Sequence, residues 1–406
     1  MNEHSGLLKF SEGEKLLPQE EILELDYKKS KITIGIPKES SFQECRIPLV
    51  PKSVGLLVAN GHEILVEKGA GKSAHFEDNE FSESGAIIVS SKEEIYKADI
   101  IMKVAPPSVE ELDLLNSRQT LISSIQIAGQ SREYFEKLMA KRMTTLAYEY
   151  IKDKAKTFPL IRSMSEIVGV TTILIANEYL QNPKYGKGTL LGGFPGITPS
   201  EVVILGAGTV AEYAARAALG LGATVKVFDN SIYKLRRLQN SLGTRIFTSI
   251  IQPGVLMKSL KTAHVAIGAI YSSEGMSPTV VSEEMVSQMK KGSVIIDVSI
   301  DQGGCFETSK VTNHLEPVFK KYDVTHYCVP NIASRVPHTA SYALSNYFTP
   351  VLLKMGEMGG IEKMLKVDYG LRQGAYLFNG TLTKSYIGEY FTLPYQNIEL
   401  LIAAFH

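Results

Sequence analysis

The segment from Glu201 to Asp229 constrains this chain more than any other, because it reads as strand, glycine turn, helix and second strand without interruption. Val202 to Leu205 lead directly into Gly206-Ala207-Gly208-Thr209-Val210-Ala211, and the small, apolar run AEYAARAALG continues as a helix. Each position in the turn has a physical task. Gly206 permits the tight bend, Gly208 lets a pyrophosphate approach the backbone, and Ala211 lets the helix lie close on the strand. Free N–H groups at the start of the helix, and its positive end, then favour a bound anion. The next strand, TVKVFD, ends in Asp229, at the ~20-residue distance where an acid accepts hydrogen bonds from an adenosine ribose. A lone glycine triplet would carry little weight. In this context it predicts a Rossmann unit that binds NAD. Asp229 repels a 2′-phosphate and so disfavours NADP, although Arg236 and Arg237 lie close enough to temper that preference.

A chain of 406 residues exceeds what one core usually organises, so two domains are expected. Lys plus Arg and Asp plus Glu number 43 each, which leaves no basic footprint for nucleic acid or an anionic membrane surface. The longest apolar runs, such as Val265 to Tyr271, fall short of the ~20 residues of a bilayer span. The first 21 residues carry acids throughout and lack a basic segment followed by an apolar core, so no secretory signal is expected. Cys45, Cys305 and Cys328 are spaced too widely and irregularly for a disulfide framework or metal cluster. A cytoplasmic protein without a metal site, acting on a small molecule, is the expectation.

Strands alternate with helices along most of the chain. KITIGIP at 31–37, HEILVE, the segment 100–104, RQTLISSIQIA and RMTTLAYEYI read as strands around helices such as REYFEKLMAK. A second series follows a long helix at 161–180 and a Gly/Pro-rich loop, with VVILG, TVKVFD, AHVAIGAI and SVIIDVS as strands. After Asn331 the text turns helical. The expected fold class is α/β: two Rossmann-like doubly wound domains, the nucleotide domain inserted into the first. Residues 1–30 are expected as an extension, 31–163 and 338–406 as the substrate domain, and 164–337 as the NAD-binding domain.

Read with their neighbours, these residues resemble the alanine dehydrogenase family, which shares its fold with the NAD-binding domain of proton-translocating transhydrogenase. The likeness runs from Lys31 to about Leu353. It is carried by GIPKES and ECRIPLVP at 35–51, VEKGAG at 66–71, PLIRSMSEIVG at 159–169 and LLGGFPGITPSEVVILGAGTV at 190–210. KKGSVIIDVSIDQGGCFETS at 290–309 and HYCVPNIASRVPHTASYALSN at 326–346 extend it. The resemblance implies that Arg46 grips a substrate carboxylate, as suits a guanidinium fork, and that Asp301 takes part in catalysis at the nicotinamide end. It places Ser165, Thr209, Val210, Asp229, Lys234, Ala269, Ile270 and Asn331 along the cofactor, and it implies a homo-oligomer, commonly a hexamer. Bland alternatives remain: Arg46 could form a surface ion pair, and Asp301 could cap a turn ahead of Gly303-Gly304.

Two positions depart from the family. Where it has a second lysine that holds the substrate carbonyl, this chain has Ala105; where it has a histidine acid/base, this chain has Gln126. Neither replacement can exchange a proton near neutral pH, and both are shared with transhydrogenase domains. Lys103, two residues before Ala105 on the same side of a strand, is either a catalytic substitute or a structural residue. Arg162 and Arg335 could receive a second carboxylate, and His338 could donate a proton; each could equally be a surface group. The leading expectation is an NAD-dependent alanine dehydrogenase. The alternatives are a dehydrogenase of a larger oxo-acid/amine imine and a non-catalytic NAD(H)-binding protein.

Overall fold

The computed structural model describes residues 30–271 and 276–404. The expected extension 1–30 therefore lies outside the described residues, except for Ser30. In chain order the strands are β1 (Thr33–Ile36), β2 (Glu63–Glu67), β3 (Ile87–Val89), β4 (Ile100–Met102), β5 (Thr120–Ser123) and β6 (Thr144–Ala147). Next come β7 (Glu201–Leu205), β8 (Thr224–Phe228), β9 (Phe247–Ser249), β10 (Val265–Gly268), β11 (Val294–Asp297), β12 (Val318–Lys321) and β13 (Val324–Tyr327). The last two are β14 (Ala375–Phe378) and β15 (Thr381–Leu382). They form two sheets, ordered β15-β14-β6-β5-β4-β1-β2-β3 and β12-β13-β11-β10-β7-β8-β9.

β1 to β6 are mutually parallel, and so are β7 to β11 with β13. Their sequences explain it. Strands such as IIM, VAIG and VIID are apolar on both faces and buried at every position, as parallel strands covered by helices must be. β14 and β15 differ from the expectation of a purely helical C-terminus. β14 runs antiparallel to β6 and β15 lies beyond it at the edge of the first sheet, so the end of the chain returns to the sheet on which it began.

Two long helices join the halves, Pro159–Gln181 and Pro337–Glu357, each with proline in its first turn where no N–H is needed. Leu160 and Met164 of the first helix pack in the first core, while Ile173, Ile175 and Ala176 pack in the second. By length and composition this helix could cross a bilayer, which the expectation of short apolar runs had not anticipated. Its side chains are instead shared between two cores. Gly169 allows it to touch the helix Thr209–Gly220 closely: a Cβ there would lie 2.5 Å from the Val210 carbonyl oxygen.

Each strand order reverses once. In the first sheet the reversal falls between β1 and β4, and in the second between β7 and β10. Doubly wound sheets hold ligands in the crevice beyond the carboxyl ends of the strands at such a point. The segments there are 37–46 and 103–107 on one side, and 206–208 and 269–270 on the other.

Candidate active site

The glycine turn is built as the sequence requires. Gly206 has φ +105°, and a Cβ on it would stand 2.3 Å from the Ala269 carbonyl oxygen, so the ends of β7 and β10 meet only over a glycine. The Ala207 N–H donates to Asp229 Oδ2 at 2.8 Å and the Ser231 N–H to Oδ1 at 2.7 Å, tying the turn to the end of β8. Gly208 precedes the helix Thr209–Gly220, and a Cβ on it would meet nothing within 4 Å. The turn thus leaves open space in front of free helix-start N–H groups. Its donors, the open approach and the acid at Asp229 together fit a dinucleotide. Thr209 and Val210 form the first turn, Ala269 and Ile270 follow β10, and Lys234 projects into solvent from the helix Ile232–Leu242. Ser165 lies half-buried on the helix Pro159–Gln181.

Arg46 stands beyond β1, buried to 8% exposure. Its Nε donates to Glu44 Oε1 at 2.8 Å and its Nη2 to Oε2 at 2.6 Å, a bidentate charge-assisted pair. Burial alone would raise the pKa of Glu44, but the charge and hydrogen bonds of Arg46 outweigh it and hold the carboxyl below its ordinary range. Glu44 also accepts from Asn331 Nδ2 at 3.0 Å and Ser334 Oγ at 2.8 Å. Asn331, at φ +58° just past β13, therefore bridges the cofactor half and the arginine. Gln43 adds to this seam by accepting from the His314 N–H at 2.6 Å. The remaining Nη1 of Arg46 donates to Met164 Sδ at 3.6 Å, a weak acceptor.

Asp301 sits in a short turn after β11 and is exposed. Protein packed around its carboxyl raises its pKa. The loop that carries it is fixed from below by the buried Asp297, which accepts from the Cys305 N–H at 2.8 Å and Ser309 Oγ at 2.7 Å. Gly303 and Gly304, at φ +97° and +86°, make the bend that this requires.

The substrate side takes an unexpected form. Lys103 is fully buried, with Nζ 3.2 Å from Glu111 Oε2, 3.4 Å from Ser40 Oγ and 3.7 Å from Glu39 Oε2. Its charge is neutralised inside the protein. Ala105 is 1% exposed, and its N–H donates to Glu39 Oε2 at 3.3 Å, while the Val104 N–H donates to Oε1 at 2.5 Å. Burial pushes the Glu39 carboxyl up to about 7 despite the opposing pull of Lys103. Gln126 adopts φ +46° and donates to Ser124 Oγ at 3.3 Å. Beneath it, Glu149 accepts from the Ile125 N–H at 2.7 Å, and burial raises its pKa too.

The two extra arginines are engaged elsewhere. Arg162 pairs with Glu166 at 3.0 Å and Arg335 pairs with Glu178. His338 stacks on Phe76 with centroids 4.4 Å apart, and its Nδ1 lies 2.9 Å from the Ala74 carbonyl oxygen. Glu39 and Glu44 were missed in the sequence. An acid two residues before Arg46, and another at the end of GIPKE, were the available signals. Among the described residues no group of three His, Cys, Asp or Glu side chains is placed to hold a metal ion.

Two doubly wound sheets, a glycine turn at one switch point and a buried arginine at the other define a two-domain dinucleotide-binding protein. Residues 35–168 match the family described as alanine dehydrogenase/PNT, N-terminal domain, and residues 172–385 match alanine dehydrogenase/PNT, C-terminal domain. The chain belongs to the alanine dehydrogenase/PNT family. It is 36% identical to alanine dehydrogenase of Staphylococcus saprophyticus over 90% of this chain and 98% of that one. It is 38% identical to alanine dehydrogenase of Bacillus subtilis, over 86% and 92%. A solved L-alanine dehydrogenase superposes with a TM-score of 0.83 at 36% identity, covering 89% of this chain and 99% of that one.

Proposed function

We propose that this chain is an NAD-dependent alanine dehydrogenase, converting L-alanine, NAD and water to pyruvate, ammonia and NADH. The observation that carries this is the seam through Glu44. One carboxylate holds the guanidinium of Arg46 and the amide of Asn331, and so ties a carboxylate-binding group to the cofactor half. The glycine turn, Asp229, Ala269 and Ile270 hold the dinucleotide, which when bound accepts a hydride from the substrate α-carbon. Arg46 binds the substrate carboxylate through Nη1, whose partner in the fold is the weak acceptor Met164 Sδ, and orients the α-carbon. Asp301 lies at the nicotinamide end and stabilises positive charge that develops on the amine.

With Ala105 and Gln126 in place, the proton must move through another group. Glu39 is that group in our proposal: its carboxyl sits on the Val104 and Ala105 N–H groups, and its pKa of about 7 matches general acid/base work. Lys103 then acts through Glu39, as a positioning residue. Substrate and binding domains fall at 31–163 with 338–406 and at 164–337. Exposed Leu174, Leu190, Phe194, Ile197 and Leu221 support association with further copies of the chain, and the cytoplasm is the expected compartment.

NADH formation followed at 340 nm with saturating L-alanine at alkaline pH tests the activity. No turnover would sink it. One observation favours a second function: no group at positions 105 and 126 can exchange a proton. If Glu39 does not replace them, the chain binds NAD(H) without acting on amino acids. It would then bind NADH with no turnover across a panel of oxo acids and amines. The pairing of Arg162 and Arg335 with glutamates withdraws the feature that favoured a dicarboxylate substrate.

A further inference from the structure

We propose that Gln43 and His314 are positioning residues for Arg46, closing a ring of hydrogen bonds between the two sheets that fixes the guanidinium for the substrate carboxylate. This rests on the assignment of Arg46 to that carboxylate. Gln43 lies past β1 of the first sheet, and His314 lies between β11 and β12 of the second. Gln43 Oε1 accepts from the His314 N–H at 2.6 Å, and His314 Nε2 lies 3.2 Å from the Asn331 carbonyl oxygen. Asn331 Nδ2 donates to Glu44 Oε2 at 3.0 Å, and Glu44 is the chain neighbour of Gln43. The ring is thereby closed. A carbonyl oxygen can only accept, so Nε2 carries the ring hydrogen, and burial favours the neutral form of His314.

Both sides of the ring are held under constraint. Gln43 has φ +59° and Asn331 φ +58°, left-handed conformations that a residue with a Cβ keeps only where its surroundings over-determine it. The turn that carries His314 is fixed as well. Asn313 Oδ1 accepts from the Leu315 and Glu316 N–H groups at 2.9 Å each, and from Gln43 Nε2 at 3.4 Å. A shift of that turn therefore pulls on Gln43 and Asn331 together, and both pulls meet at Glu44. Glu44 holds Nε and Nη2 of Arg46, so its place sets where the guanidinium points. Ser334 Oγ strengthens the same point: it receives Asn331 Nδ2 at 2.8 Å and the Cys45 N–H at 3.4 Å, and donates to Glu44 at 2.8 Å. Gln43 and His314 thus act on Arg46 through Glu44.

Steady-state kinetics and hydrogen exchange of the full chain test this together. Gln43→Met, similar in length but without the acceptor, should raise KM for L-alanine about tenfold, the scale of one hydrogen bond. Its kcat should change little, because a grip on the carboxylate acts in the ground and transition states alike. His314→Phe, which removes the bond to Asn331, should do the same. Each variant opens one ring, so the double variant should raise KM about as much as either single change, not by their product of about 100-fold. Hydrogen exchange read by mass spectrometry needs no turnover. His314→Phe should speed exchange of the Cys45 and Arg46 amides about tenfold, while those of Ile34 to Ile36 in β1 keep the parent rate. A KM shift below about twofold, a multiplicative double variant, or unchanged exchange at Cys45 and Arg46 overturns the proposal. If the parent shows no turnover of L-alanine, the dehydrogenase reading fails by itself. Faster exchange in His314→Phe then still upholds the ring, and unchanged exchange still overturns it.

Discussion

Replacing Gly206 and Gly208 by alanine separates what the glycine turn does for the fold from what it does for the ligand. At Gly206 the backbone holds φ +105°, which costs a residue with a Cβ ~1–2 kcal/mol. The new methyl would also stand 2.3 Å from the Ala269 oxygen and 2.7 Å from its carbonyl carbon, where ordinary contact begins at 3.4 Å. Both obstacles are backbone, so no side chain can swing aside. The end of β7 or of β10 has to move by roughly 1 Å, for a total cost on the order of 3 kcal/mol. That lowers Tm by roughly 6–12 °C for a domain of about 150–250 residues that unfolds as a unit. Ala269 and Ile270 move with the shift, and a displacement of about 1 Å at a site costs about 100-fold. At Gly208 φ is −82°, and the methyl would meet nothing within 4 Å. Gly208→Ala should therefore melt within about 2 °C of the parent. Its methyl nonetheless occupies the approach of a pyrophosphate, so NADH affinity should fall by at least about tenfold. Thermal melts by circular dichroism and NADH fluorescence titration read both quantities. A Gly208→Ala variant that binds NADH like the parent would refute the cradle. A Gly206→Ala variant that melts like the parent would refute the close approach of β7 and β10.

Glu39→Gln should lower kcat/KM for alanine by about 10²–10⁴-fold and abolish the limb of its pH profile near 7, measured from pH 5 to 10. In the oxidative direction the carboxylate is the required form, so the parent's rate rises with pH through that value. Lys103→Met removes the charge that lowers the Glu39 pKa, so the same limb should move to higher pH; an unmoved midpoint argues against Glu39. The folded chain binds the Glu39 proton more tightly than the unfolded chain, whose value is 4.5. Stability from this group is present below 4.5 and is lost as pH rises towards 7, which melts across that window will show as a fall absent from Glu39→Gln. Glu44→Ala leaves Arg46 buried without its partner and should cost about 3–5 kcal/mol by denaturant unfolding, with a raised KM for alanine. A loss under about 1 kcal/mol would mean that Arg46 is not held through Glu44.

The parts of the fold legible in the sequence are those where only one residue type works. Gly206 is such a place, because its φ and the Ala269 carbonyl leave no room for a Cβ; so are the fully buried parallel strands, with their unbroken Val and Ile. β14 and β15 were missed because GAYLFNGTL is short and follows a helical run, and its partner β6 lies more than 200 residues earlier. Pairing at that separation leaves no local periodicity. Lys103 shows a different limit. Alternation carried one residue past β4 fixes the side on which it points but not the Glu39, Ser40 and Glu111 side chains that close over it. Arg162 and Arg335 were ambiguous for the same reason, since their glutamate partners lie 4 and 157 residues away and only the folded chain brings the second pair together.

The loss of two expected polar groups and the burial of three others belong to one arrangement. A lysine at position 105 would place a second ammonium close to Lys103, and both would compete for Glu39 and Glu111. With alanine there, Glu39 is held by the Val104 and Ala105 N–H groups and by Lys103 at 3.7 Å. Burial is then the dominant influence on its carboxyl and lifts it into the neutral range. A second cation nearby would pull it back towards the ordinary carboxylate range and make it a poor acid at neutral pH. Ala105 is thus the change that lets Glu39 titrate where a dehydrogenase works. Gln126 follows from the same shift: once proton transfer leaves that position, an uncharged amide that donates to Ser124 Oγ fills it without adding a charge above Glu149. On this account Ala105→Lys does not restore the family arrangement. It should lower activity near pH 7 by depressing the Glu39 pKa, and activity should recover only when Gln126→His supplies a second proton carrier. A single Ala105→Lys variant more active than the parent would break the link between the two positions.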